Sequence, residues 1–558
     1  PGSTSPPNFD AARLHRGRMT AASRRNYAGW GNEGETVPAA IARRVERLLT
    51  DAFQLPPQAA APVPPLSAIT LPPIRLPKPD IDAPCYDDPY ERVLHAIGRS
   101  THDLLRLRTG VLPAAPDMVA YPRTVDALQE LLAWADQQNA AVVPFGGGTS
   151  VTGGVEPVPF DRHNGVVSVD LRALDRVLEI DDVAQLVRVQ AGVLGPALDA
   201  ALAPHGLTFR HYPQSYQFST VGGWIATRSA GHFATGIGKI EQRVAGLEVV
   251  TATGERATTR LLPAGSIGPD PNQFWIGSEG LCGIITEAWL RAIPIPRHRA
   301  SVTMRFDAFD SALTALRNIV QSGLQPAHLR ALDPFEAMMS ASLTGAPADG
   351  SALLLIGFES PLAPVEHELA LAQQLAEQHG GRPAAPAGRP QDDAAGGWRE
   401  AFLKQPYIRD VLLDRGLIAD TFETAVPWRH AHDFYTQVRT TTLETLARVC
   451  GTGGVLGRTT HAYRDGVSFY FSFFGPARDP HAAVEQWRAI KTAATDAVIA
   501  AGGTASHHHA AGRDHAPWAR QELPQAWQAA LMGAKRTLDP KGLLNPGVIL
   551  GRDLHDPL

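Results

Sequence analysis

Cysteine is scarce in this chain. Its 558 residues include three, Cys85, Cys282 and Cys450, widely separated and never in a C-x-x-C pair. An odd, scattered set argues against a disulfide framework and a cysteine-built zinc site, and fits a reducing compartment such as the cytoplasm. Long apolar runs are missing as well. None approaches the ~20 residues that a membrane-spanning helix needs, and the opening Pro1-Gly2-Ser3-Thr4-Ser5-Pro6 carries no apolar core of a secretion signal. Charge of one sign is not in surplus. Lys+Arg number 51 against 56 Asp+Glu, a net charge of −5, so no global field draws the chain to nucleic acid and no such partner is expected. No strongly basic amphipathic helix stands out, and no internal repeat recurs at a fixed period.

What is present begins with Pro144-Phe145-Gly146-Gly147-Gly148-Thr149-Ser150-Val151-Thr152-Gly153-Gly154. It follows Ala140-Ala141-Val142-Val143, which reads as a buried strand. Three glycines remove every Cβ from the turn, so backbone N–H groups can approach an anion closely, and Thr149 and Ser150 add hydroxyl donors. This chemistry suits a pyrophosphate. The spacing is neither the G-x-G-x-x-G of a nicotinamide fold nor that of a P-loop.

The length implies two to four folding units, and 44% apolar residues make a globular chain. The first ~55 residues read as mainly helical, and residues 56–80 as a Pro-rich extended connector. A helix is expected over 88–109. Thr124 is a plausible N-cap for a helix over 125–139, followed by strands at 165–170, 177–180 and 186–190, a helix over 194–205, and strands around Thr253-Gly254. Beyond Ile293-Pro294-Ile295-Pro296, a strand at 301–306, a helix at 309–322, a strand at 351–359 and a helix at 364–379 suggest a second α/β unit with an antiparallel sheet. Residues 384–397, rich in Ala, Gly and Pro, read as a loop inside it.

Four separated segments then carry a resemblance. They are the 144–150 turn; Gln214-Ser215-Tyr216-Gln217-Phe218-Ser219-Thr220-Val221-Gly222-Gly223-Trp224, continuing to Thr227-Arg228-Ser229-Ala230; Ser278-Glu279-Gly280-Leu281-Cys282-Gly283-Ile284-Ile285-Thr286-Glu287; and Leu538-Asp539-Pro540-Lys541-Gly542-Leu543-Leu544-Asn545-Pro546-Gly547. In this order they resemble the flavoprotein superfamily typified by vanillyl-alcohol oxidase, and within it the alkyldihydroxyacetonephosphate synthases of ether-lipid synthesis. The resemblance implies an α+β chain: a two-subdomain FAD-binding domain at 115–296, an α/β cap with an antiparallel sheet at 297–503, an N-terminal helical extension with connector at 1–114, and a C-terminal segment, 504–558, returning to the FAD domain. It also implies cofactor contacts. Pro144, Phe145, Gly146, Gly147, Gly148, Thr149 and Ser150 would hold the pyrophosphate. Gln214, Ser215, Ser219, Thr220, Gly222, Gly223, Thr227, Arg228, Ser229 and Ala230 would line the ribityl and isoalloxazine region. Glu279, Gly280, Leu281, Cys282, Gly283, Ile284 and Ile285 would clasp the adenosine side and the dimethylbenzene edge. Gln214 stands where the family usually has Asp, and Leu281 where Thr is common. Covalent members often place a His beside the glycine turn; Phe145 stands there, so dissociable FAD is expected.

Further matches narrow the resemblance. Ser468-Phe469-Tyr470-Phe471-Ser472-Phe473 is similar to the strand presenting the family's catalytic tyrosine, here Tyr470, and Ser506-His507-His508-His509 to its triple-histidine segment. Arg409, in Gln405-Pro406-Tyr407-Ile408-Arg409-Asp410, matches a substrate-binding arginine, and Arg330 a second. Read alone, Tyr470 is an ordinary strand aromatic and the arginines ordinary salt-bridge formers. Three adjacent histidines suggest metal, yet on a strand only His507 and His509 share a face, so no metal is expected.

The resembled enzymes exchange the acyl group of acyl-dihydroxyacetone phosphate for a fatty alcohol without net oxidation. Such a reaction needs a guanidinium for the phosphate and a base at the carbon bearing the ester. Tyr470 beside His507, His508 and Arg409 forms such a set, with the cations lowering the phenol's pKa. A homodimer with peripheral membrane contact, acting on a lipid or other small molecule, is what the resemblance implies. Two other readings remain open: an FAD-linked oxidase or dehydrogenase of a 2-hydroxy acid or other alcohol, and a non-enzymatic flavin- or lipid-binding scaffold.

Overall fold

The apolar run ahead of the glycine turn forms the strand Ala140–Phe145, in a computed structural model that describes residues 24–55, 58–158, 161–344, 349–384 and 394–551. It pairs in parallel with Gly165–Asp170, which pairs in parallel with Met118–Ala120; Cys85–Tyr86 adds an antiparallel edge. Parallel strands require a crossover. The helix Val125–Gln138 carries the chain from Met118–Ala120 over Gly165–Asp170 to Ala140–Phe145, and Thr124 caps that helix by accepting from the Ala127 N–H at 3.1 Å. A second, antiparallel sheet has the order Val177–Asp181, Leu186–Gln190, Ile284–Arg291, Val244–Val250, Arg256–Thr258. These are the two subdomains the sequence led one to expect.

The cap is a seven-stranded antiparallel sheet ordered Arg382–Pro383, His298–Phe306, Ala352–Ser360, His328–Leu332, Gly454–Ala462, Gly466–Pro476, Leu417–Pro427. The pleat gives each strand two faces. Phe469, Phe471 and Phe473 join the core formed with the helices Phe309–Gln321, Ala431–Cys450 and Pro480–Ala500. The even-numbered positions of Gly466–Pro476 face the other way. There, Phe474, with Leu417, Ala419 and Leu456 from the neighbouring strands, packs on Ile41, Val45 and Leu49, the apolar stripe of the helix Ala39–Phe53.

Several expectations are corrected. Within the described part of the first ~55 residues, only Ala39–Phe53 is helical; 24–38 is irregular, and 1–23 lies outside the described residues. The single helix expected over 88–109 is two, Pro89–Leu94 and Thr101–Arg108. Asp88 caps the first, and Ser100 caps the second by accepting from the Asp103 N–H at 2.9 Å. Between them Gly98 lies so near Ser150 that a Cβ there would stand 2.5 Å from its carbonyl oxygen. The loop expected over 384–397 ends early, because the helix Ala394–Asp414 begins inside it; residues 385–393 lie outside the described residues.

The C-terminus returns to the first sheet. The Val142 N–H donates to the Leu543 carbonyl at 2.7 Å, and the Asn545 N–H to the Val142 carbonyl at 2.8 Å.

Candidate active site

The glycine turn leaves the strand Ala140–Phe145 and meets the 214–220 segment at once. A Cβ on Gly146 would lie 2.4 Å from Thr220 Oγ1, and one on Gly147 would lie 1.9 Å from the Phe218 carbonyl oxygen. Gly148 has φ +63°, a left-handed conformation that favours glycine. The turn is therefore a cradle of bare backbone, and its chemistry fits a dinucleotide diphosphate. Gly147→Ala is expected to cost about 1–3 kcal/mol through overpacking against backbone. The variant should lose yellow cofactor on gel filtration; unchanged Tm and colour would show that the turn tolerates a side chain.

The other cofactor segments converge on the same place. Asn545 Nδ2 donates to the Gly154 carbonyl at 3.0 Å and to the Glu279 carbonyl at 2.7 Å. Thr220 caps the helix Val221–Ala226, accepting from the Gly223 N–H at 3.2 Å. Ser229 Oγ bonds His211 Nε2 at 2.7 Å, and Ser219 Oγ accepts from Trp224 Nε1 at 2.7 Å. The side chains of Leu281, Cys282 and Ile285 belong to one core and that of Ile284 to another, which leaves this stretch its backbone for a ligand. Arg228 reaches outward toward Glu241, at 3.6 Å.

Glu279 is buried, and its carboxylate accepts the Ala511 N–H at 2.9 Å and the Gly512 N–H at 2.8 Å. Burial outweighs these bonds and pushes its pKa up from 4.5 to about 7. The folded state thus binds this proton more tightly than the unfolded chain. The resulting stability is present below about pH 4.5 and is lost as pH rises through about 7, at most about 3 kcal/mol. Glu279→Gln removes a contribution that falls with rising pH, so between about pH 5 and about pH 8 its Tm should gain on that of the parent chain; a slope equal to that of the parent chain would refute the assignment.

The cap sheet supplies the remaining groups by register. Glu423 is paired with Tyr470 and Tyr470 with Arg458, so three adjacent strands present one row on one face. The Arg458 guanidinium lies 4.1 Å above the Tyr470 ring, and the Tyr470 hydroxyl donates to Thr421 Oγ1 at 3.0 Å. Arg458 is ion-paired with Glu336 and donates to Gln405 Oε1 at 3.1 Å; Gln405 Oε1 also accepts from Gln214 Nε2 at 3.0 Å. A cofactor-segment residue is thereby linked to the cap.

Glu423 organises the histidines. Its carboxylate accepts the N–H groups of His507, His508 and His509 and the Ser506 hydroxyl, all between 2.9 and 3.0 Å. The trio therefore sits on a curled loop, which corrects the strand assumed from sequence. Lys239 Nζ donates to the His507 carbonyl at 2.6 Å and Thr152 Oγ1 to the His509 carbonyl at 3.2 Å, so the loop also docks on the cofactor domain. The rings of His508 and His509 lie 6.3 and 5.6 Å from that of Tyr470, centroid to centroid.

The curl changes the metal question. His461, His507 and His508 each bring a ligand atom within 4.8 Å of the others'. Most of their nitrogens are engaged, however. His507 Nε2 bonds the Tyr463 hydroxyl at 2.6 Å and its Nδ1 meets His508 Nδ1 at 2.9 Å, while His461 Nε2 donates to the Gly231 carbonyl at 3.1 Å.

Two site expectations are revised. Burial raises the Tyr470 pKa above its ordinary value despite Arg458, so its resting form is the neutral phenol. Burial also holds His507 well below its usual range and His509 down to about 3, leaving both as neutral imidazoles. The cation beside Tyr470 is Arg458. Arg409 instead donates to the Arg99 carbonyl at 2.6 Å and approaches Asp410 at 3.4 Å. Arg330 is buried near Arg458 and donates to the His232 carbonyl at 3.0 Å. Glu423 and Arg458 were missed because residues 417–462 carried no motif, and Gln405 because its segment was read for Arg409 alone. The alternation of Thr421 and Glu423 in the run 417–427 was the available signal.

With this geometry established, similarity places the chain. Residues 116–260 match the family described as FAD binding domain, and 295–549 that described as FAD linked oxidases, C-terminal domain. Fold and site thus define an FAD-binding flavoprotein of the linked-oxidase class. The chain is 31% identical over 511 residues to the alkyldihydroxyacetonephosphate synthase of Trypanosoma brucei brucei, covering 85% of this chain and 82% of that one. It belongs to the alkyldihydroxyacetonephosphate synthase family. A solved alkyldihydroxyacetonephosphate synthase superposes with TM-score 0.78 at 25% identity, covering 93% of this chain and 98% of that one. The fold is shared more distantly with 4-ethylphenol oxidase from Gulosibacter chungangensis, at TM-score 0.62 and 16% identity, over 79% of this chain and 90% of that one.

Proposed function

We propose that this chain replaces the acyl group of acyl-dihydroxyacetone phosphate with a fatty alcohol. The observation that carries this reading is the row Glu423–Tyr470–Arg458 with the histidine loop clamped beside it. Bound FAD would supply an electron-accepting ring that takes part in the exchange. The glycine cradle and the 214–230 and 279–285 segments would hold it.

The chain's own groups divide the remaining work. A neutral imidazole of the trio offers a free nitrogen lone pair where the protonated phenol offers no basic site, so the histidine loop takes the proton from the carbon bearing the ester and returns it. The Tyr470 phenol donates to oxygen as charge develops there. Arg409 and Arg330 are assigned to the substrate phosphate, for which a planar guanidinium offers paired donors. The balance is closed. The ester C–O bond breaks, the alcohol oxygen forms the new one, and the alcohol's proton leaves with the fatty acid.

FAD is assigned a non-covalent hold. His95, whose ring lies 4.2 Å from that of Phe145, has Nδ1 bonded to the Glu91 carbonyl at 2.8 Å and Nε2 to Asp170 at 2.9 Å. The Cys282 thiol is buried, with its pKa pushed up to about 11. Neither offers a ready nucleophile. Acid precipitation should leave the yellow colour in the supernatant, and colour confined to the pellet would overturn the assignment.

A homodimer contacting a membrane surface completes the reading; no helix among the described residues is long and apolar enough to cross one. The deciding experiment is anaerobic mixing with acyl-dihydroxyacetone phosphate, a fatty alcohol and a redox dye. Fatty-acid release with the dye left oxidised supports the exchange. Stoichiometric dye reduction without ether product would replace it with an oxidoreductase.

A further inference from the structure

Arg25 has a problem that the fold does not solve. Both terminal nitrogens of its guanidinium are buried without a hydrogen-bond partner. The group lies 3.9 Å above the Phe218 ring, and Phe218 is the residue whose carbonyl packs on Gly147 of the glycine turn. Other guanidiniums gather at the same edge. The Arg99 backbone N–H donates to the Ser150 carbonyl at 2.5 Å, and its guanidinium Nη2 donates to the carbonyl of Asn26, next in sequence to Arg25, at 2.8 Å. Arg409 in turn donates to the Arg99 carbonyl at 2.6 Å.

The acids nearby are already engaged. Glu35 accepts from the Tyr407 hydroxyl at 2.9 Å and from the Asn32 N–H at 3.0 Å. Asp410 accepts from the Trp30 N–H at 2.5 Å and lies 3.4 Å from Arg409. Arg25 also lines a cavity of about 460 Å³ with Arg24, Arg172, Asp88 and Glu91; Arg172 is paired with Asp170 at 2.5 Å, Asp88 accepts the Tyr90 N–H at 3.0 Å and Glu91 accepts the Tyr121 hydroxyl at 2.6 Å. Burial, with Arg99 and Arg172 beside it, pushes the Arg25 pKa down to about 9. A desolvated guanidinium whose terminal nitrogens donate to nothing is unfavourable even with Glu35 nearby, and an anion is what relieves it.

We propose that Arg25 is a phosphate-binding group, donating its guanidinium fork to an anionic phosphate seated beside the glycine turn. The phosphate belongs either to the dinucleotide diphosphate or to a phosphomonoester substrate. The inference rests on the flavoprotein reading above for the first source and on the proposed substrate for the second.

Arg25→Gln and Arg25→Lys in the full chain test it. FAD affinity is measured by fluorescence titration of apoprotein, and steady-state kinetics by fatty-acid release. If the diphosphate is the partner, Arg25→Gln weakens FAD at least about tenfold and leaves KM within about twofold. If the substrate phosphate is the partner, KM rises at least about tenfold while kcat and FAD affinity hold within about twofold. Arg25→Lys keeps the charge but loses the fork, so it should fall between. Arg25→Gln with both affinities unchanged overturns the proposal. Should that variant not fold, Arg25→Lys with both affinities unchanged does the same. A parent chain that fails to bind FAD would count against the flavoprotein reading alone. Inorganic pyrophosphate should still raise the parent's Tm and not the variant's, and an equal rise in both would refute the anion site.

Discussion

Glu423→Ala is expected to lower turnover at least about 100-fold and to destabilise the chain by about 3–5 kcal/mol. The physical reason is that one buried carboxylate terminates three backbone N–H groups and a hydroxyl in the histidine loop. Removing it leaves buried donors unpaired and frees the imidazoles from their positions. Glu423→Gln separates the two effects. Its amide oxygen still accepts, but its NH₂ group opposes the remaining donors, so Tm should recover more than kcat. A pH profile provides an independent check. Although burial alone would raise it, the charge of His508 comes first among the influences that hold the Glu423 carboxylate well below its ordinary 4.5. Its folded pKa is depressed, so its stability is present above about pH 4.5 and is lost as pH falls through the folded value. His507 and His509, also depressed, lose stability in the same direction as pH falls below about 6.5. The parent should therefore be acid-labile, and Glu423→Gln should show a shallower acid slope. Full activity with an unchanged slope would remove Glu423 from the site.

Tyr470→Phe is expected to retain fold and FAD while losing about 10²–10⁴-fold in kcat, the usual range for an acid–base group. The substitution removes a hydroxyl whose only described hydrogen bond is to Thr421 at 3.0 Å, and leaves the ring beneath Arg458. KM should change little if the phenol acts chiefly in the transition state. The visible spectrum of the holoprotein checks that the cofactor is still held. A kcat within about threefold of the parent value would return Tyr470 to the packing role of its neighbours Phe469 and Phe471.

Much of the cofactor domain could be read from sequence because its information is local. Thr124 before a periodic apolar run specifies a capped helix, and three glycines after a buried strand specify bare backbone wherever the turn lands. The double cap Asp88 and Ser100 was legible in the same way, and reading residues 88–109 as one helix overlooked it. The cap site was less accessible. Glu423 and Arg458 stand in strands with no motif, and nothing local marks one acid or one arginine among many. The error over Tyr470 has the same root. Its proton affinity depends on how completely the sheet and loop exclude water, and no spacing rule conveys that.

Sequence alone determined the bare-backbone turn, the alternation that aims Tyr470 away from the phenylalanines, and the adjacency of three histidines. Each follows from chain periodicity or the absence of a side chain. Tertiary structure decided which strands lie side by side, and hence that Glu423, Tyr470 and Arg458 share a row while Arg409 turns toward Arg99. Glu423 and Tyr470, 47 residues apart in sequence, meet only through sheet register. Register is set by the burial of whole strand faces, a property of the folded chain and of no single segment.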